Sequence, residues 1–144
     1  MTHRRKNTAS TLRAVALAGA IAMNVTGPTQ QRGARVPTGT WGGDHIRLEV
    51  ADRSSQVEFD CAHGAIDEPL IVDGAGRFEA KGSYAQESPG LQREDSPPQS
   101  RPARYAGRIQ DSTMTLTITL TESGQTIGPF SLTKGRTPRI TKCG

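Results

Sequence analysis

The chain has 144 residues, 33% of them hydrophobic and only 4% aromatic, which allows one domain with a thin core and excludes a large helical one. Its formal charge of +4 is carried by Arg4, Arg5, Lys6 and Arg13; from residue 28 onward, 14 basic residues meet 14 acidic ones. A neutral folded part removes the counterion-release argument for nucleic acid and leaves little to draw the chain to an anionic membrane.

Met1–Arg13 is polar and basic, Ala14–Met23 is an apolar run of ten residues, and Ala20-Ile21-Ala22 has small residues spaced for signal-peptidase cleavage. This is the layout of a secretory signal peptide over residues 1–22, so the expectation is an exported protein, secreted or periplasmic. Ten apolar residues fall well short of the roughly 20 that span a bilayer, so no stable membrane anchor is expected. Residues 23–37, rich in Thr, Gln, Gly, Pro and Arg, read as a flexible lead-in, and 38–144 as one domain.

Within that domain the apolar residues recur at every second position, the period of a strand with one buried and one wetted face. Asp44–Val50 puts Ile46, Leu48 and Val50 inward, with Gly42-Gly43 read as a kink behind Trp41. After a turn at Asp52–Ser55, Val57, Phe59 and Cys61 form the next inward row. Ala62–Gly64 reads as a turn into Ala65–Val72, a strand weakened by Pro69. Asp73-Gly74-Ala75-Gly76 is a hairpin signal, and Arg77–Ala85 then carries Phe78, Ala80, Gly82 and Tyr84 inward.

Residues 86–102 form a long, proline-rich loop with Leu91 as its one isolated apolar residue. Ala103–Gln110 and Thr113–Thr121 flank Asp111-Ser112 as a hairpin. In its second strand Met114, Leu116, Ile118 and Leu120 alternate strictly with threonines. Gln125–Lys134 needs a bulge at Gly128-Pro129 to bring Ile127 and Leu132 to one face, and Arg139–Cys143 reads as a short last strand. The total is about eight strands joined in sequence: an all-β, antiparallel meander closed into a small barrel, with a two-sheet sandwich as the alternative.

Gly39-Thr40-Trp41, opening the first strand, resembles the Gly-x-Trp signature of lipocalins and their calycin relatives. The resemblance implies an eight-stranded barrel whose closed end is plugged by Trp41, with an arginine near the last strand packed over it. Arg139 is the residue in that position. The chain is also similar to small secreted bacterial protease inhibitors with one disulfide, and to short exported bacterial proteins.

The two cysteines, Cys61 and Cys143, both lie in the exported part, where an oxidising compartment predicts one disulfide between them. Asp44-His45 and Asp60 with His63 hold the most metal-like chemistry. Their spacing matches no metal motif, and these positions fall largely on the wetted face, so no metal site and no cofactor are expected. Asp67-Glu68 are adjacent strand residues on opposite faces, a poor acid–base pair. The serines lack a G-x-S-x-G elbow, and no catalytic residue is assigned. Arg93, Arg101, Arg104 and Arg108 lie near the long loop, interleaved with Glu87, Glu94, Asp95 and Asp111, and read as a solvated mixed-charge face.

The functional expectation is therefore a secreted, non-catalytic binding protein. Its first form holds a small apolar ligand in the barrel interior, contacted by Phe78, Tyr84, Tyr105 and Leu91. Its alternative binds or inhibits another secreted protein through the 86–102 loop; a metal-dependent enzyme ranks last. Small barrels are often filled by their own side chains, so an open interior is the feature on which the first form depends.

Overall fold

The computed structural model describes residues 33–87 and 99–143. The signal peptide expected at 1–22 and Leu91 lie outside them. Ten strands form: β1 (Ala34–Arg35), β2 (Gly39–Gly43), β3 (Ile46–Val50), β4 (Ser55–Phe59), β5 (Ala62–Ile66), β6 (Ile71–Val72), β7 (Arg77–Gln86), β8 (Ser100–Gln110), β9 (Thr113–Leu120) and β10 (Thr126–Lys134). Eight of them, β2-β3-β4-β5-β7-β8-β9-β10, make a closed antiparallel barrel, sealed where Leu132, Thr133 and Lys134 of β10 pair with Gly43, Gly42 and Trp41 of β2. The fold is the closed all-β meander that the period-two pattern predicts, and it is consistent with a lipocalin-like barrel.

Alternation explains the core. In β9 the threonines point outward while Met114, Leu116, Ile118 and Leu120 are buried, and Trp41, Ile46, Leu48, Ile66, Tyr105 and Leu132 join them from the other strands. The bulge expected at Gly128-Pro129 is a shift of register between Ile127 and Phe130.

Six features differ from the sequence reading. The kink at Gly42-Gly43 is instead a full reversal: β2 and β3 form a hairpin through Asp44-His45, with His45 at φ 69°. The turn placed at Ala62–Gly64 sits two residues earlier, at Asp60-Cys61, so Ala62, Gly64 and Ile66 are the inward row of β5. The strand read over Ala65–Val72 stops at Ile66, and β6 leaves the barrel to pair with β1. That pairing also corrects the lead-in, whose last residues are ordered, Val36 being buried and its N–H bonded to Leu70 O at 3.0 Å. Pro69 and Gly33 gave no hint of this, because a two-residue pairing carries no periodicity.

The last strand expected at Arg139–Cys143 is not a strand. After β10 the chain turns back along the outer surface of β2, which is why Gly42 is buried. A methyl group there would lie 2.0 Å from Arg136 O, so only glycine admits the tail. Arg139 then makes an isolated bridge with Asp44, its N–H bonding Gly43 O at 3.0 Å and its carbonyl accepting from His45 N at 2.7 Å. The long loop also begins later and ends earlier than read: β7 runs to Gln86 and β8 starts at Ser100, with Pro102 paired to Ser83.

A meander has two ends. One carries the turns at 44–45, 60–61 and 121–125, the end of β7 and the start of β8. The other carries the turns at 51–54 and 111–112 and the small β1–β6 sheet. They are called below the disulfide end and the lead-in end.

Candidate functional site

The barrel interior is filled by its own side chains. Trp41, Ile46, Leu48, Ile66, Tyr105, Met114, Leu116, Ile118 and Leu132 are all at 1% exposure or below. The glycines on the inner face leave no room, being covered by neighbouring groups. A methyl group on Gly107 would fall within 2.4 Å of the Phe78 ring, its cross-strand neighbour, and one on Gly64 would meet the Tyr105 hydroxyl. Tyr105, on β8, reaches along the inner face toward β7 and donates to Ser83 O at 2.7 Å. Burial, then the nearby Tyr84 and Asp67, push its phenol well above the ordinary range.

Of the residues assigned to an apolar ligand, Phe78 and Tyr105 are thus core, while Tyr84 is half-buried at the disulfide end. Its ring meets Phe59 edge-on at 5.4 Å between centroids, and Phe59 meets Phe130 at 5.5 Å. With Ile127 also half-buried, these rings form an aromatic lip at that mouth. Burial raises the Tyr84 phenol above its ordinary value.

Trp41 is buried at 1% and points its indole toward the lead-in end, donating from Nε1 to Pro37 O at 3.1 Å. The residue paired with it on the neighbouring strand is Lys134, half-buried, with its Nζ over Gly39. Arg139 is exposed, and its backbone bonds are to Gly43 and His45 at the opposite end.

Cys61 and Cys143 form a disulfide, with Cα atoms 5.2 Å apart across a sequence separation of 82. The tail reaching it is tied by polar contacts. Thr141 N donates to Asp60 Oδ1 at 2.9 Å, and the other Asp60 oxygen lies 2.6 Å from His45 Nδ1. The Thr141 bond, against the opposing effect of burial and with help from His45 and Lys142, holds the Asp60 carboxyl below its usual range. Lys142 Nζ lies 3.1 Å from Glu58, 3.4 Å from both Glu87 oxygens and 3.3 Å from Phe59 O. Burial alone would lower its pKa, but Glu58 and then Glu87 outweigh it and hold the ammonium above its ordinary value. His63 Nδ1 meets the same Glu87 at 3.1 Å.

Glu58, His63, Glu87 and Lys142 line an open cleft of about 370 Å³ on the outside of β3, β4 and β5, completed by Arg47, Glu49, Gln56 and Val57. Both imidazoles are oriented by carboxylates, yet each is more than half exposed, and neither bonds a hydroxyl or thiol among the described residues. Among those residues no group of three or more His, Cys, Asp or Glu is placed to hold a metal ion. The arrangement offers charged and aromatic contacts at one barrel end. Glu58 and Lys142 were given no part in a site by the sequence reading, and Glu87 was placed only in a mixed-charge face; once Cys61 and Cys143 are paired, Lys142 must lie beside the Asp60-Cys61 turn, and that was the available signal.

No protein-family model, curated protein or solved structure gives a match to this chain. The fold defines it as a small, disulfide-bonded, closed antiparallel β-barrel.

Proposed function

We propose that this is an exported, non-catalytic binding protein that engages another secreted protein at the disulfide end of its barrel, across Phe59, Tyr84 and Phe130 and the adjoining cleft. The observation that carries this reading is the packed interior. A barrel whose central inward residues, Ile46, Leu48, Tyr105, Leu116 and Ile118 among them, are at 0% exposure leaves its outside for recognition, and half-buried aromatics beside polar groups are what protein-binding surfaces use. Glu87, where the chain leaves β7, lies on the rim of the cleft. The disulfide supports export, since such bonds persist in oxidising compartments.

The reading that places an apolar ligand inside the barrel requires the core side chains to move apart. Thermal unfolding across a panel of lipophilic ligands separates the two: a concentration-dependent rise in Tm supports an interior pocket and sinks the surface reading. On the surface reading, a partner captured by crosslinking in the spent medium, then purified, binds the wild type. It loses about tenfold or more in affinity to Tyr84→Ala or Phe130→Ala while the Tm of the variant stays close to wild type. Undiminished binding to both variants would move the interface elsewhere.

A further inference from the structure

The outer face of β7 and β8 departs from the charge pairing used elsewhere on the barrel. On β3–β4 the outward pair Arg47 and Glu58 is of opposite sign, and on β2–β3 Thr40 Oγ1 donates to its partner Glu49 at 2.6 Å. On β7–β8 the register sets Arg77 directly opposite Arg108 and Lys81 directly opposite Arg104, while the outward acid between them, Glu79, faces Ala106 and is taken by Arg104. Like charges directly opposite destabilise a sheet. Folding therefore gains nothing from either pair, and exchanging Glu79 with a neighbour would have relieved one of them.

Carboxylates border this face: their oxygens are taken up by backbone N–H groups, and the charge of Asp73 also acts on Arg77 and Arg108. Asp73 accepts the N–H groups of Ala75 and Arg77 in its own turn, and Glu68 accepts Lys81 N at 2.7 Å. Asp67 flanks Lys81 from the end of β5, bonding its carbonyl through the backbone. Among the described residues Arg77, Lys81 and Arg108 have no ion-pair partner within 4.0 Å, and all three are exposed. The cations stand in two rows about 4.8 Å apart, with about 13 Å between successive cations in a row. Next to them β9 and β10 present hydroxyls, Thr115 and Thr119 paired with Arg108 and Arg104, and Ser131 beyond.

We propose that this face binds an extended acidic polysaccharide lying across β7, β8 and β9, its acidic groups on the cations and its hydroxyls on the threonine row. The surroundings select that partner among polyanions. The outward positions of β7–β9 carry no aromatic ring on which a nucleobase could stack and no large apolar side chain to enter a lipid surface. The barrel is closed, so an acidic peptide finds no free strand edge to pair with.

The test uses the intact, disulfide-bonded protein with alginate and heparin as probes, measured by calorimetry at low and moderate salt. Arg77→Gln with Arg108→Gln should weaken binding at least about tenfold and lower the slope of log affinity against log salt by about two, as two contacts are lost. Its Tm should stay level or rise, because the opposed pair is gone. Arg53→Gln, an exposed arginine in the β3–β4 turn, should leave binding unchanged. No binding to either polysaccharide at low salt, or an equal loss in the Arg53 variant, overturns the proposal. Equal or tighter binding of polyaspartate, single-stranded DNA or anionic vesicles overturns the choice of partner.

Discussion

The two ends of the barrel are closed by different physics. At the lead-in end the seal is apolar and backbone-bonded: Val36 and Leu70 are buried, their chains pair through β1 and β6, and the Trp41 indole is tied to Pro37 O. At the disulfide end a tail without secondary structure is held by one covalent bond and by Asp60, Glu58 and Glu87, and Phe130 and Tyr84 are left half-buried. Closing one by packing and the other by a crosslink leaves apolar surface accessible at the second, which is the surface proposed above for binding.

The largest test of this contrast is removal of the crosslink. Replacing Cys61 and Cys143 by Ser frees a loop closed across 82 residues, for which the chain-entropy relation gives about 4–5 kcal/mol. Urea unfolding should show a loss of that order. Hydrogen exchange should rise first at Thr141 and around the Asp60-Cys61 turn while Val36 stays protected. Uniform loss of protection at both ends would show that the ends are not separately held.

The reciprocal experiment attacks the packed end. Trp41→Ala leaves a cavity in a fully buried site and should cost about 3–5 kcal/mol, read from the denaturation midpoint. The disulfide should still form quantitatively under oxidising conditions, because the residues that position the tail, Gly43, His45 and Asp60, do not depend on the indole. Failure of the bond to form would mean that the packed end must be complete before the tail can dock.

The smallest expected effect is acid sensitivity. The folded Asp60 carboxyl has a pKa below its ordinary 3.8, chiefly through the Thr141 N–H, so its contribution is full above that value and is lost as pH falls through the lower folded value. Asp73 is lowered in the same direction by the Arg77 and Ala75 N–H groups at the other end. Asp60→Asn should therefore flatten, without abolishing, the fall in stability as pH drops below the ordinary carboxyl value of 3.8, and the double variant with Asp73→Asn should flatten it further. An unchanged pH profile in Asp60→Asn would show that the carboxylate does not hold the tail.

Much of the barrel could be read from residue order because its determinants are local. Thr113–Leu120 alternates so strictly that only a half-buried strand satisfies it, and the Gly128-Pro129 parity break marks its own bulge. Boundaries failed where a local signal has two solutions. Gly42-Gly43 followed by Asp44-His45 fits a kink or a hairpin, and the choice falls to β10, which pairs with β2 and needs it reversed against β3. The strand expected at Arg139–Cys143 failed for a related reason: Ile140 alone carries its apolar pattern, and the chain lies instead along Gly42.

The candidate site was half legible. Two cysteines in a chain with an export layout leave one intramolecular pairing, so the disulfide required no structure. Tyr84 and Tyr105 have the same inward parity in sequence, yet one lies at the mouth and the other in the packed centre, because depth along a barrel axis leaves no periodic trace. The opposed cations of β7 and β8 depend on register, which a loop of unspecified geometry between the strands cannot set in advance. What the sequence determined by itself was strand identity, the inward face and the covalent pairing, all properties of near neighbours or of composition. Closure of the barrel, the filled interior, the tail over Gly42 and the gathering of Asp60, Glu58, Glu87 and Lys142 were decided only by tertiary structure, since each joins residues far apart in the chain whose contact depends on how all eight strands come round.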